Sequence, residues 1–156
     1  MSPPGFEDTS DGTADGGQLQ TLQPLTNELI AEVLRSRDYN FHIDSDGDLL
    51  GKWDDNLIYF FRLGTNSEVL QVRTMAATAF SIEDVAALHE FCNTWNHDRL
   101  WPKAYVHVND DGSVRVCGEV VADLERGVTP QQLDQLINCG ISTGCQMSDA
   151  VAELRP

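Results

Sequence analysis

At 156 residues, 41% of them hydrophobic, the chain is long enough to bury one core and too short for two. Its 25 acidic and 10 basic residues leave a formal charge of −15. That balance speaks against unaided binding to nucleic acid or an anionic membrane, since phosphates are drawn to Lys and Arg clusters that this chain lacks; its expected partners are neutral or basic, foremost other proteins.

Met1 to Gln23 holds Pro3, Pro4, Gly5, Gly12, Gly16 and Gly17, the acids Glu7, Asp8, Asp11 and Asp15, and no base. Such a segment buries too little surface to offset its ordering entropy, so residues 1–23 read as a disordered acidic tail and residues 24–156 as one domain. Thr26 is placed to cap a helix with Leu29, Ile30, Val33 and Leu34 on one face. Tyr39 to Ile43 and Leu49 to Trp53 read as short strands around the turn Asp44-Ser45-Asp46-Gly47-Asp48. Leu57 to Leu63 is apolar at nearly every position, which predicts a central strand covered on both faces, and Val69 to Met75 follows across Gly64 to Ser67.

Ser81 and Asp84 have the spacing of a helix start, and Ile82, Val85, Leu88, Phe91, Cys92 and Trp95 recur at helical intervals, as expected of the core helix. Asn96 is expected to terminate that helix through its side chain, with Asp98 and Arg99 solvated. Tyr105 to Val108 and Val114 to Cys117 read as a hairpin across Asp111-Gly112, with Val106, Val108, Val114 and Val116 on its buried face. Thr129-Pro130 opens the last helix, whose apolar stripe includes Leu133, Ile137, Ile141, Met147 and Val151. Gly140 and Gly144 interrupt it, and a bend or split is expected there.

Four sets of residues invite a chemical reading. Gly140-Ile141-Ser142-Thr143-Gly144 fits the G-x-S-x-G pattern of serine hydrolases, which need Ser142 on a strained strand-to-helix elbow; the helical pattern before it favours small residues on a packing face instead. The acidic loop Asp44 to Asp48 is a candidate cation or ligand sensor, yet its glycine is fourth rather than sixth and no glutamate stands twelfth, so a polar turn is the simpler reading. Cys92, Cys117, Cys139 and Cys145 lack disulfide, zinc or redox spacing, and His42, His89, His97 and His107 lie one per element. Trp95, Trp101, Pro102 and Tyr105 form the one dense aromatic cluster, which serves packing or a protein-binding surface. No catalytic residue, cofactor or metal site is expected.

Free thiols and the absence of a secretory signal point to the cytoplasm, and no apolar run approaches the roughly 20 residues that cross a bilayer. Phe91-Cys92-Asn93-Thr94-Trp95-Asn96, Trp101-Pro102-Lys103-Ala104-Tyr105-Val106, Asp110-Asp111-Gly112, Gly118-Glu119, Asp123-Leu124 and Gly127-Val128 together resemble the YbjN domain family, in its actinobacterial branch, over about residues 25–155. The resemblance implies the class I type III secretion chaperone fold: α+β, one antiparallel sheet packed against helices. It also implies a cytoplasmic and often dimeric protein of a family labelled sensory-transduction or stress regulators and chaperone-like proteins, with no catalytic residue. The combined expectation is a non-enzymatic protein-binding module, a homodimer associating through the second helix and the hairpin; a small hydrolase on Ser142 and a sensor on Asp44 to Asp48 are the alternatives.

Overall fold

The computed structural model describes residues 21–155, so the disordered tail expected over residues 1–23 lies outside the described residues as far as Gln20. Gln23 exchanges two backbone hydrogen bonds with Val128, at 2.9 and 2.8 Å, and the ordered chain therefore starts ahead of Pro24. Thr26 caps α1 (Asn27–Ser36) by accepting a hydrogen bond from the Leu29 N–H, and the predicted stripe of Leu29, Ile30, Val33 and Leu34 is buried.

β1 (His42–Ile43) and β2 (Leu49–Trp53) flank the acidic turn. Tyr39 to Phe41 are not part of β1, contrary to the alternating pattern. The Tyr39 N–H is taken by the Leu34 carbonyl at the end of α1, and its ring meets Trp53 edge-on at 5.4 Å, so packing has claimed these residues ahead of the ladder. β3 (Asn56–Leu63) and β4 (Val69–Met75) follow, then a short turn of 3-10 helix, α2 (Val85–Asp98), β5 (Lys103–Val108), β6 (Val114–Asp123) and α3 (Pro130–Ala152). The six strands form one antiparallel sheet in the order β1-β2-β3-β4-β6-β5.

Ile58, Phe60, Leu70, Val72, Thr74, Val116 and Val120 share one face of this sheet and are buried, with all three helices over them. The alternate residues Leu57, Tyr59 and Phe61 are only half-buried. Among the described residues β3 is thus covered on one face, not two as its apolar run predicts. Its second face is served by a stack of Tyr59 on Phe61, centroids 5.1 Å apart, in place of a layer of helix.

α3, rather than α2, is the central helix. Leu133, Ile137 and Ile141 belong to one cluster of core residues and Met147 and Val151 to the other, whereas α2 buries only Leu88, Cys92 and Trp95. α3 also runs unbroken through Gly140 and Gly144. A Cβ on Gly140 would lie 2.6 Å from Val72 Cβ, and one on Gly144 would overlap Thr74, so the glycines permit close approach to β4 and do not split the helix. Gly118 acts likewise on β6, against Pro102 and Met147, and the strand continues past it to Asp123 where the sequence pattern stops at Cys117.

Candidate functional site

α2 ends beside the start of β5, and the residues between them do different jobs. Trp95 is buried, donates its indole N–H to the Pro102 carbonyl at 3.1 Å, stacks on Phe91 and carries the Arg99 guanidinium 4.3 Å from its ring centre. Asn96 does not terminate the helix as expected. Its amide oxygen accepts from the Ala104 N–H at 2.8 Å and its amide nitrogen donates to the Ala104 carbonyl at 2.9 Å, so the side chain imitates a neighbouring strand and ties α2 to β5. Pro102, reached through a cis peptide bond from Trp101, is buried against Gly118.

Tyr105 instead lies on the uncovered sheet face. Its hydroxyl accepts from the Arg73 Nε at 2.6 Å, and burial is the main reason its phenol is pushed up to about 12. Beside it, Glu119 receives Lys103 at 2.9 Å and Gln71 at 2.8 Å. Cys117, opposite Tyr105 in register, is sealed from solvent and its thiol is pushed up to about 11, chiefly by that burial. Three of the four residues of the hairpin's predicted inner face hold: Val114 and Val116 are buried and Val106 packs partly buried against the same cluster, while Val108 at the strand end is exposed.

Trp101 and its neighbour Leu100 are 49% and 77% exposed. Trp101 borders a groove of about 570 Å³ whose other walls include Val120, Ala122 and Leu124 and the α3 residues Leu136 and Cys139. The groove exists because β5 is shorter than β6: their pairing ends at Lys103 and Glu119, while β6 pairs with β4 as far as Asp123. Of the four aromatic-cluster residues, then, Trp95 and Pro102 are spent on packing, and Trp101 and Tyr105 reach the surface at different places. The groove itself went unread in the sequence, although Val120-Val121-Ala122 after Gly118 carries the apolar run that extends β6.

Ser142 is an exposed residue in mid-helix, 3.5 Å from the Gln146 amide, so the strand-to-helix elbow of a hydrolase is not the local structure. Asp44, Asp46 and Asp48 do bring their carboxylates within 4.8 Å of one another, the one such cluster among the described residues. One Asp44 oxygen accepts from the Asp46 and Asp48 N–H groups at 2.9 and 3.0 Å, the bonding of a polar turn, and Gly47 takes the positive φ that closes it. Burial, then Asp44 and Asp46, raise the Asp48 carboxyl. All four cysteines are free, Cys92 and Cys117 buried and Cys139 and Cys145 partly so. The histidines are not one per element as expected: His89 and His97 share α2, while His42 lies on β1 and His107 on β5. Among the described residues no helix is long and apolar enough to cross a membrane.

Residues 26–153 match the family described as YbjN, "Putative bacterial sensory transduction regulator". No curated protein matches the chain. Among solved structures, "YbjN, a putative transcription regulator from E. coli" superposes with a TM-score of 0.72 at 14% identity, over 86% of this chain and 96% of that one. An uncharacterized protein from Methanothermobacter thermautotrophicus gives 0.56 at 13% identity, over 85% of this chain and all of the other (100%). At such identities the two structures share the fold.

Proposed function

The chain belongs to the YbjN family, and on that premise we propose that it is a cytoplasmic regulatory module which acts by holding another polypeptide, in the manner of a chaperone, and not by catalysis. The supporting observation is the bare side of the sheet. Tyr59, Phe61, Met75 and Tyr105 are half-buried there with no helix above them among the described residues, and exposed apolar surface in a small protein marks interaction. Family members carry a regulator's description, which fits a binding module better than an enzyme. The charge of −15 keeps a complex with an apolar client in solution.

Homodimerisation through the end of α2 and the β5–β6 hairpin belongs to the same proposal, with Trp101 and Tyr105 as the accessible members of the aromatic cluster. Formaldehyde crosslinking of the tagged full chain in cells, followed by mass spectrometry, should return the same few polypeptides in independent repeats, and light scattering should give twice the 17.3 kDa chain mass. A monomer that captures nothing reproducible contradicts the reading.

A further inference from the structure

We propose that the overhanging end of β6 takes up an extended segment of a partner polypeptide as an added strand, a segment in which apolar side chains alternate with basic ones. This deepens the binding function above and rests on it. β6 continues through Val120 to Asp123 after β5 has ended opposite Glu119. Backbone groups alternate sides along an antiparallel strand. Val114 and Val116 bond to Phe80 and Ala76, and the Leu124 N–H to Glu68, all on the β4 side, so the N–H and C=O of Val121 and Asp123 face the vacant side. An unpaired strand end of this kind recognises extended backbone whatever its sequence.

Side chains of an added strand would alternate as those of β6 do. One set enters the groove between Trp101, Val120, Leu124, Leu136 and Cys139, which favours apolar residues. The other set lies along the bare face beside Val121 and Asp123, both exposed. Glu119 on that face is already engaged by Lys103 and Gln71, which leaves Asp123, one of whose oxygens accepts the Glu125 N–H at 3.0 Å, with Glu125 beyond it, to attract a base. Arg126 is the cation of the same turn, and the total charge of −15 outweighs it. The same charge argues against two other occupants. The N-terminal segment, which enters beside Gly127, has four acids and no base, and a second copy brings another −15.

The test uses the full chain and two synthetic decapeptides, one alternating Val with Lys and one alternating Val with Glu, read by amide hydrogen exchange in NMR. The Val/Lys peptide should slow exchange at Val121 and Asp123 by about tenfold or more and leave Val120 and Ala122, already bonded to β4, unchanged; the Val/Glu peptide should do neither. Val121→Pro, which removes an outward N–H at an edge, should weaken Val/Lys binding about tenfold, and Asp123→Lys should weaken it through charge if the proline variant does not fold. Slow exchange at Val121 and Asp123 in the free chain, relieved by deleting Met1 to Gln20 or by dilution, would show the edge filled by the chain's own tail or by a second copy and overturn the proposal. Peptide binding that is indifferent to both variants overturns this site and leaves the polypeptide-binding function standing. No peptide binding at all also overturns it, and the crosslinking result then decides the broader reading by itself.

Discussion

Phe60 and Phe61 are adjacent in β3, identical in chemistry and on opposite faces of the sheet. Phe60 is sealed beneath the helices with Ile58, Val72 and Trp53 around it, while Phe61 lies half-buried on Tyr59 in a face that also carries Arg73, Tyr105, Gln71 and Glu119. The covered face is dry and tightly packed, down to glycines where a methyl group will not fit. The other mixes rings with ion pairs and, apart from the sealed Cys117, keeps its apolar side chains partly within reach of solvent. Stability therefore resides on one side of the sheet, and the proposed capacity for partners on the other.

Truncating the two rings separates the faces most sharply. Phe60→Ala should cost about 3–5 kcal/mol in urea denaturation, the range for an enclosed ring that leaves a cavity, and Phe61→Ala about 1 kcal/mol, since solvent fills the gap. Equal losses would mean that the bare face is covered in solution.

Next in size is Asn56, 1% exposed, whose amide oxygen accepts both the Ser148 hydroxyl at 2.5 Å and the Ala77 N–H at 2.9 Å. Asn56→Ala strands two buried donors and should cost about 2–3 kcal/mol by the same measurement, whereas the Tyr105→Phe change on the bare face should cost about 1 kcal/mol or less. Gly144→Ala gains about 1 kcal/mol of helix propensity but drives a methyl group into Thr74, for which overpacking costs of about 1–3 kcal/mol apply. A net loss is expected, partly recovered in the double variant Gly144→Ala/Thr74→Ser, and the thermal midpoint reports both.

The smallest effect is at the rim. Arg37 donates to both Asp134 oxygens, at 2.5 and 2.8 Å, and those hydrogen bonds hold the Asp134 carboxyl below its ordinary range. A depressed carboxylate stabilises the fold above its unfolded pKa and loses that contribution as pH falls through the folded value. Asp134→Asn should therefore lose most at pH 7, by a small amount because the pair is about one-third exposed, and the gap to the parent chain should close as pH falls below about 4.

Local chemistry made much of the fold legible. Thr26 and Thr129 are both working caps, the latter in a reciprocal pair with Gln132, and Asp84 accepts the Ser81 N–H as its spacing implied. Contacts between distant segments explain the rest. The near-continuous apolar run of β3 implies cover on both faces and does not show that the helices take only one, and the run of β6 stops at Gly118 in the sequence pattern until Met147, from α3, is placed in the space above it. Asn96 has the composition of a helix terminator, and only the position of Ala104 turns it into a strand mimic. The groove was hidden for the same reason: it follows from a difference in length between β5 and β6, which no single segment records. The aromatic cluster was visible, but its division between core and surface depended on where α2 meets the sheet.

Site-specific photocrosslinking bears most directly on the bare face. Benzoyl-phenylalanine at Phe61, on that face, and at Gln146, an exposed position on α3, are compared in the full chain inside cells. A face that meets polypeptide gives discrete protein adducts from position 61 and none of comparable yield from position 146. Equal yields from both, or adducts only from the helix, would contradict it.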